Sequence, residues 1–186
     1  MAAKKLRKLA VVDAGPHLLA ALRAEIEDTR TWETQYQMIM ALGECVYLEA
    51  KTFVEELSNR PFEATMVYVA LGDALVRLSG ARSSQVATVL SLIELERHPM
   101  LVDGALRALA ILRLIPNDDE ITRILAYGGT LSVNHGNRFW IAAACPGWPR
   151  GMVAEFLTES AKSSRTDLQE AVALASSGKY KAWRPL

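Results

Sequence analysis

Aromatic residues are scarce in this chain, at 7%, and neither sign of charge is in excess, with 21 basic residues against 21 acidic ones. A dedicated nucleic-acid binder carries a basic surplus, so this balance argues against that class while leaving room for a local patch. Only two cysteines occur, Cys45 and Cys145, neither in a CxxC pair. Isolated thiols of this kind read as small buried hydrophobes in a reducing compartment, and a disulfide between them has no support. No apolar run approaches the length that spans a bilayer. The apolar stretch after MAAKKLRK breaks at Asp13, too soon for the core of a signal peptide. The expectation is a cytoplasmic chain with no membrane partner.

What the chain does have is apolar material in helical order. It is 51% hydrophobic and 23% charged over 186 residues, enough for one domain with a sizeable core. From Thr31 to Leu57, Trp32, Tyr36, Ile39 and Met40 recur at steps of three and four, followed by Gly43. Ala50, Phe53, Val54 and Leu57 repeat the pattern. This predicts two short antiparallel helices, each with one apolar face. Such a pair cannot bury both faces alone and needs neighbours of its own kind.

Taken in order, residues 1–30 read as an irregular cap, with helices over 4–12 and 17–28 around the break Asp13-Ala14-Gly15-Pro16. A helix over 62–78 follows, with Gly80 as its C-cap and Ser83 or Ser84 capping a partner that His98-Pro99 closes. A third pair opens at Met100. Asn117, with Asp118, Asp119 and Glu120 behind it, marks a strong helix start. Gly128-Gly129 begins the longest unpatterned segment, GGTLSVNHGN, in which only 130–133 could be a strand. Residues 128–177 form a less regular last repeat and cap, broken at Pro146-Gly147-Trp148-Pro149, and 178–186 is a basic, partly ordered tail.

Leu42-Gly43-Glu44 aligns with Leu71-Gly72-Asp73, then less evenly with Leu109 and the neighbourhood of Ala144. Trp32…Ala41-Leu42-Gly43-Glu44 and Phe62-Glu63-Ala64…Ala70-Leu71-Gly72-Asp73 resemble the first helices of HEAT repeats. The resemblance implies an all-α chain, a right-handed α-α superhelix of HEAT/armadillo-like helical repeats, in one domain over 1–186 with regular repeats across 31–127. It also implies that the second helix of each pair lines a concave surface. The family often has Asp-Pro or Gly-Asp between the paired helices, and here Cys45-Val46-Tyr47 stands there, so the repeats are divergent. This fold hosts scaffolds, adaptors and a few enzymes.

Chemistry is thin. No GxSxG or Cys-His pairing recommends a nucleophile, and Gly128-Gly129 lacks the Lys-Ser or Lys-Thr of a phosphate loop. His17, His98 and His135 lie in separate segments, unlike converging metal ligands. No catalytic residue, metal or cofactor is expected. Glu49, Glu55, Glu94 and Glu96 fall on or at the ends of second helices, where an acidic groove would favour a basic partner; the plain reading is a solvated charged face. Asn134, His135, Arg138 and Trp140 stand at the start of an apolar helix, where free N–H groups attract anions; the plain reading is a polar turn with Asn137 as N-cap. The favoured function is a non-catalytic protein-binding module, an adaptor, regulator or immunity-type inhibitor, with a partner of basic character. The alternative is a nucleic-acid-binding HEAT-like protein related to alkylbase DNA glycosylases. Trp140, Trp148 and Trp183 gather with Arg138, Arg150 and Arg184, as aromatic and basic residues do in the groove of those enzymes, although neither their catalytic aspartate nor their aromatic set matches positions here. The sequence sets no oligomeric state.

Overall fold

The computed structural model describes residues 12–183, which form ten α-helices and no strand. They are α1 (Gly15–Glu25), α2 (Trp32–Glu44), α3 (Lys51–Ser58), α4 (Thr65–Arg77), α5 (Arg82–Glu94), α6 (Pro99–Ile111), α7 (Asp118–Thr130), α8 (Gly136–Ala144), α9 (Arg150–Ser160) and α10 (Thr166–Ser176). The even-numbered helices pack side by side in succession, with α1 against α2. Helices α3, α5, α7 and α9 form a second layer on them. The helix expected over 4–12 lies outside the described residues except for Val12, which opens a 3-10 turn.

Helix α4 is the centre. Every residue from Val67 to Arg77 is buried, as a helix enclosed on all sides requires. Its contact with α6 is made by backbone. A Cβ on Gly72 would lie 2.0 Å from the carbonyl oxygen of Leu101, and one on Gly104 would lie 2.0 Å from that of Val69. Only glycine permits this approach. Gly43 faces Ala74 less tightly, its missing Cβ falling 3.0 Å from the Ala74 Cα, so Gly43 and Gly72 each lie at a helix seam but only Gly72 meets a carbonyl there. Beside the crossing, Asp73 is fully buried and paired with Arg77, at 2.5 Å, and with Arg107 of α6.

Three helices end on a left-handed residue that is not glycine. Val46, Glu96 and Arg113 have φ of 53°, 46° and 52°. Each closes the same pair of backbone bonds; at α2 these are Val46 N–H to Gly43 and Tyr47 N–H to Leu42. Gly80 has φ 84°, but α4 ends at Arg77 with Leu78 as its C-cap, two residues before the glycine expected in that role.

Other boundaries move. Neither Ser83 nor Ser84 caps α5, which starts at Arg82 after Ala81 with no side-chain cap bond. His98 opens α6 and does not merely close α5, its Nδ1 accepting from Met100 N–H at 3.2 Å. Gly128 and Gly129 remain helical to Thr130, and Phe156 and Ile141 occupy the space a Gly128 side chain would need. Of the tail, residues 178–183 are described and Trp183 packs on Phe139 and Trp140, while the rest of the stretch expected to be partly ordered lies outside the described residues. Asn117 meets its expectation fully, with a capping box to Glu120.

Gly72→Ala or Gly104→Ala forces α4 and α6 apart and should cost about 1–3 kcal/mol or more. Gly129→Ala, a helical position with open space around it, should gain up to about 1 kcal/mol. Denaturant melts of the three variants check the contrast, and equal effects would refute the backbone contact.

Candidate functional site

Asp103 precedes Gly104 on α6, so the contact with α4 that Gly104 makes fixes the place of its carboxyl group. That group is half-buried at the edge of the even-helix layer. Trp140 of α8 donates its indole N–H to Oδ1 of Asp103 at 3.1 Å. The Trp140 ring stands 5.3 Å from that of Trp183, brought from the tail, and meets Phe139 edge-on at 4.8 Å. The tail is held by Lys181 on Glu170, at 2.6 Å, and by Tyr180 under the Arg113 guanidinium.

Positive groups surround Asp103 without binding it. Arg107 lies one turn along α6, but its guanidinium goes to Asp73. Arg165, just before α10, pairs with Asp167 at 2.6 Å. Among the described residues no cation forms an ion pair with Asp103. Burial pushes its carboxyl above the ordinary carboxylate range, and the Trp140 bond and the charges of Arg107, His135 and Arg165 pull it only part of the way back. Burial also raises Tyr127, against a bond from Asn137 at 2.8 Å, and the Asp103 charge adds to the rise.

The sequence candidates separate. Trp140 touches Asp103, and His135 lies near it, although His135 also caps α8 by accepting from Asn137 N–H at 3.2 Å. Asn137 is therefore not the cap; it is buried. Asn134 ties its loop to the turn before α10, its Oδ1 accepting from Ser163 Oγ at 2.8 Å and Ser164 N–H at 3.0 Å. Arg138 points to the other layer, where Ser160, Gly128 and Leu131 accept from it. The four glutamates are scattered over the α2–α3 turn, α3 and the end of α5. Glu49 accepts from the Tyr47 hydroxyl, Glu55 sits 3.8 Å from Lys51, Glu94 pairs with Arg123, and Glu96 holds a left-handed turn position.

Asp103 itself was missed. The available signal was a lone carboxylate in the apolar run MLVDGALRALAILRL, with an arginine four residues on, the same spacing as Asp73 and Arg77. Both cysteines are free thiols that burial pushes up, and Cys145 is fully enclosed and bonds the Ile141 carbonyl. Among the described residues no three His, Cys, Asp or Glu side chains gather as metal ligands would, and no helix is long and apolar enough to cross a membrane. No protein-family model matches the chain, and no curated protein or solved structure matches it either.

Because the folded carboxyl of Asp103 titrates above its ordinary value of 3.8, its contribution to stability is full below that value and is lost as pH rises through the raised one. Asp103→Asn, whose amide oxygen can still accept from Trp140, removes the loss. The melting-temperature difference, variant minus parent, should grow as pH climbs through the carboxylate range. A constant difference there would refute the perturbed titration.

Proposed function

We propose that the chain is a non-catalytic module of stacked helix pairs, wound as a right-handed α-α superhelix, that binds another protein through the face of its even-numbered helices. Asp103 carries this reading. It is a half-buried carboxylate with one indole bond and no counter-ion among the described residues, an arrangement that costs free energy until a cation arrives. A lysine or arginine of a basic partner supplies that cation. Trp140, Trp183 and Arg107 around it are of the residue types that dominate interface energetics.

Layer spacing supports the same face. Helices α4 and α6 reach backbone contact, whereas grooves lie between α3 and α5 and between α7 and α9; in the even layer a groove opens between the N-terminal ends of α2 and α4. A two-layer stack with one tighter layer bends toward that layer. In this reading the even face is the inner one, and Glu49, Glu55, Glu94 and Glu96 lie outside it, in place of the concave lining expected of second helices.

Phe139, Trp140 and Trp183 favour one alternative. Bases stack on such rings, and in a glycosylase-like version Asp103 would be the acting carboxylate.

Affinity isolation from the native host, with parent and Asp103→Asn side by side, tests both. The variant should lose about tenfold or more in partner capture while melting no lower than the parent near neutral pH. Equal capture by the two proteins would remove Asp103 from the interface. Salt-sensitive DNA binding by the parent, or release of alkylated bases, would put the nucleic-acid reading first.

A further inference from the structure

On the opposite side of the molecule, α7 and α9 leave a groove of about 590 Å³ between them, within the usual size range of binding pockets. Leu125, Ala126, Met152 and Phe156 give it an apolar lining, and Glu155 and Glu159 stand on its α9 side. Arg138 reaches the groove from α8. Arg138 is only 5% exposed. Nε donates to Ser160 Oγ at 3.1 Å, and Nη1 to the carbonyls of Gly128 and Leu131 at 3.1 and 3.2 Å. The Phe156 ring lies 4.8 Å from the guanidinium carbon. Nη2 makes no hydrogen bond among the described residues, and no carboxylate there pairs with the charge.

Two features decide what fits. A carboxylate or phosphate is gripped best by both prongs of the guanidinium fork, and here Nε and Nη1 are already engaged, leaving one nitrogen. An anion would also pass Glu155 and Glu159, and among the described residues only Glu159 is engaged by a cation, Lys162 at 2.6 Å. A single donor set among apolar groups suits one neutral acceptor, such as a peptide carbonyl. The rim carboxylate of Glu155, unpaired among the described residues, suits a cation beside it.

We propose that the α7–α9 groove docks an amphipathic, basic segment of a partner protein. An apolar side chain of the segment enters between Leu125, Met152 and Phe156. A backbone carbonyl of the segment accepts from Nη2 of Arg138, and a flanking lysine or arginine pairs with Glu155. This inference rests on the protein-binding reading but not on Asp103, which lies in the other layer.

A library of short random peptides displayed on phage, panned on the full chain, tests it. The parent should enrich sequences with one large apolar residue flanked by lysine or arginine. The selected peptide should bind Ala126→Trp, which fills the groove from an exposed helical position, and Glu155→Lys more weakly by about tenfold or more. Asp103→Asn should bind it as the parent does. Enrichment of acidic sequences, absence of any enriched sequence, or full binding by Ala126→Trp overturns the groove. Loss of the peptide in Asp103→Asn alone also overturns it, while leaving protein binding by the even face intact.

Discussion

The close crossing of α4 and α6 is the constraint on which the other features depend. Gly72 and Gly104 let each helix rest on the other's backbone, so this pair closes to a spacing that side chains would forbid. Each glycine has an aspartate beside it in the chain. Asp73 is thereby sealed between Arg77 and Arg107, and Asp103 is left at the rim with Trp140. A buried charge is tolerated only with its partners in place, and here the glycine contact brings the cross-helix partner within reach.

The two layers consequently offer different surfaces. Where helices touch through backbone, little room remains between them, and recognition depends on the side chains at the layer's outer edge. Where they are held apart, as α7 and α9 are, clefts form that can receive a side chain from outside. The cations are distributed accordingly. Arg107 and Arg77 serve the interior of the even layer, while Arg138 crosses from α8 into the seam of the odd layer and stacks on Phe156.

Helix positions were legible in the sequence because apolar periodicity reports burial directly. The runs that gave α2, α4, α6 and α7 are the runs that pack, and Leu42 and Leu71 are wholly buried. The ends of elements were less legible. Gly128 and Gly129 look like a loop in sequence, yet the first is glycine because Phe156 needs the space. His98 and His135 each cap a helix through a ring nitrogen, a role usually assigned to serine, threonine or asparagine. The site was legible only in half. Trp140 stood out by its type, but Asp103 acquires meaning from α8, which meets it only in three dimensions. Arg138 shows the converse: adjacent in sequence to the site, it points to the opposite layer.

The Arg77–Asp73–Arg107 cluster also sets how this sequence can change over generations. Loss of Asp73 alone would leave two cations facing each other, and loss of either arginine would leave one oxygen of the buried carboxylate without its bond. Exchange of all three for apolar groups of similar bulk is a tolerable change. Among relatives of this chain, the three positions should therefore be replaced together, so that residues at 73, 77 and 107 covary as one unit while Gly72 and Gly104 stay fixed beside them.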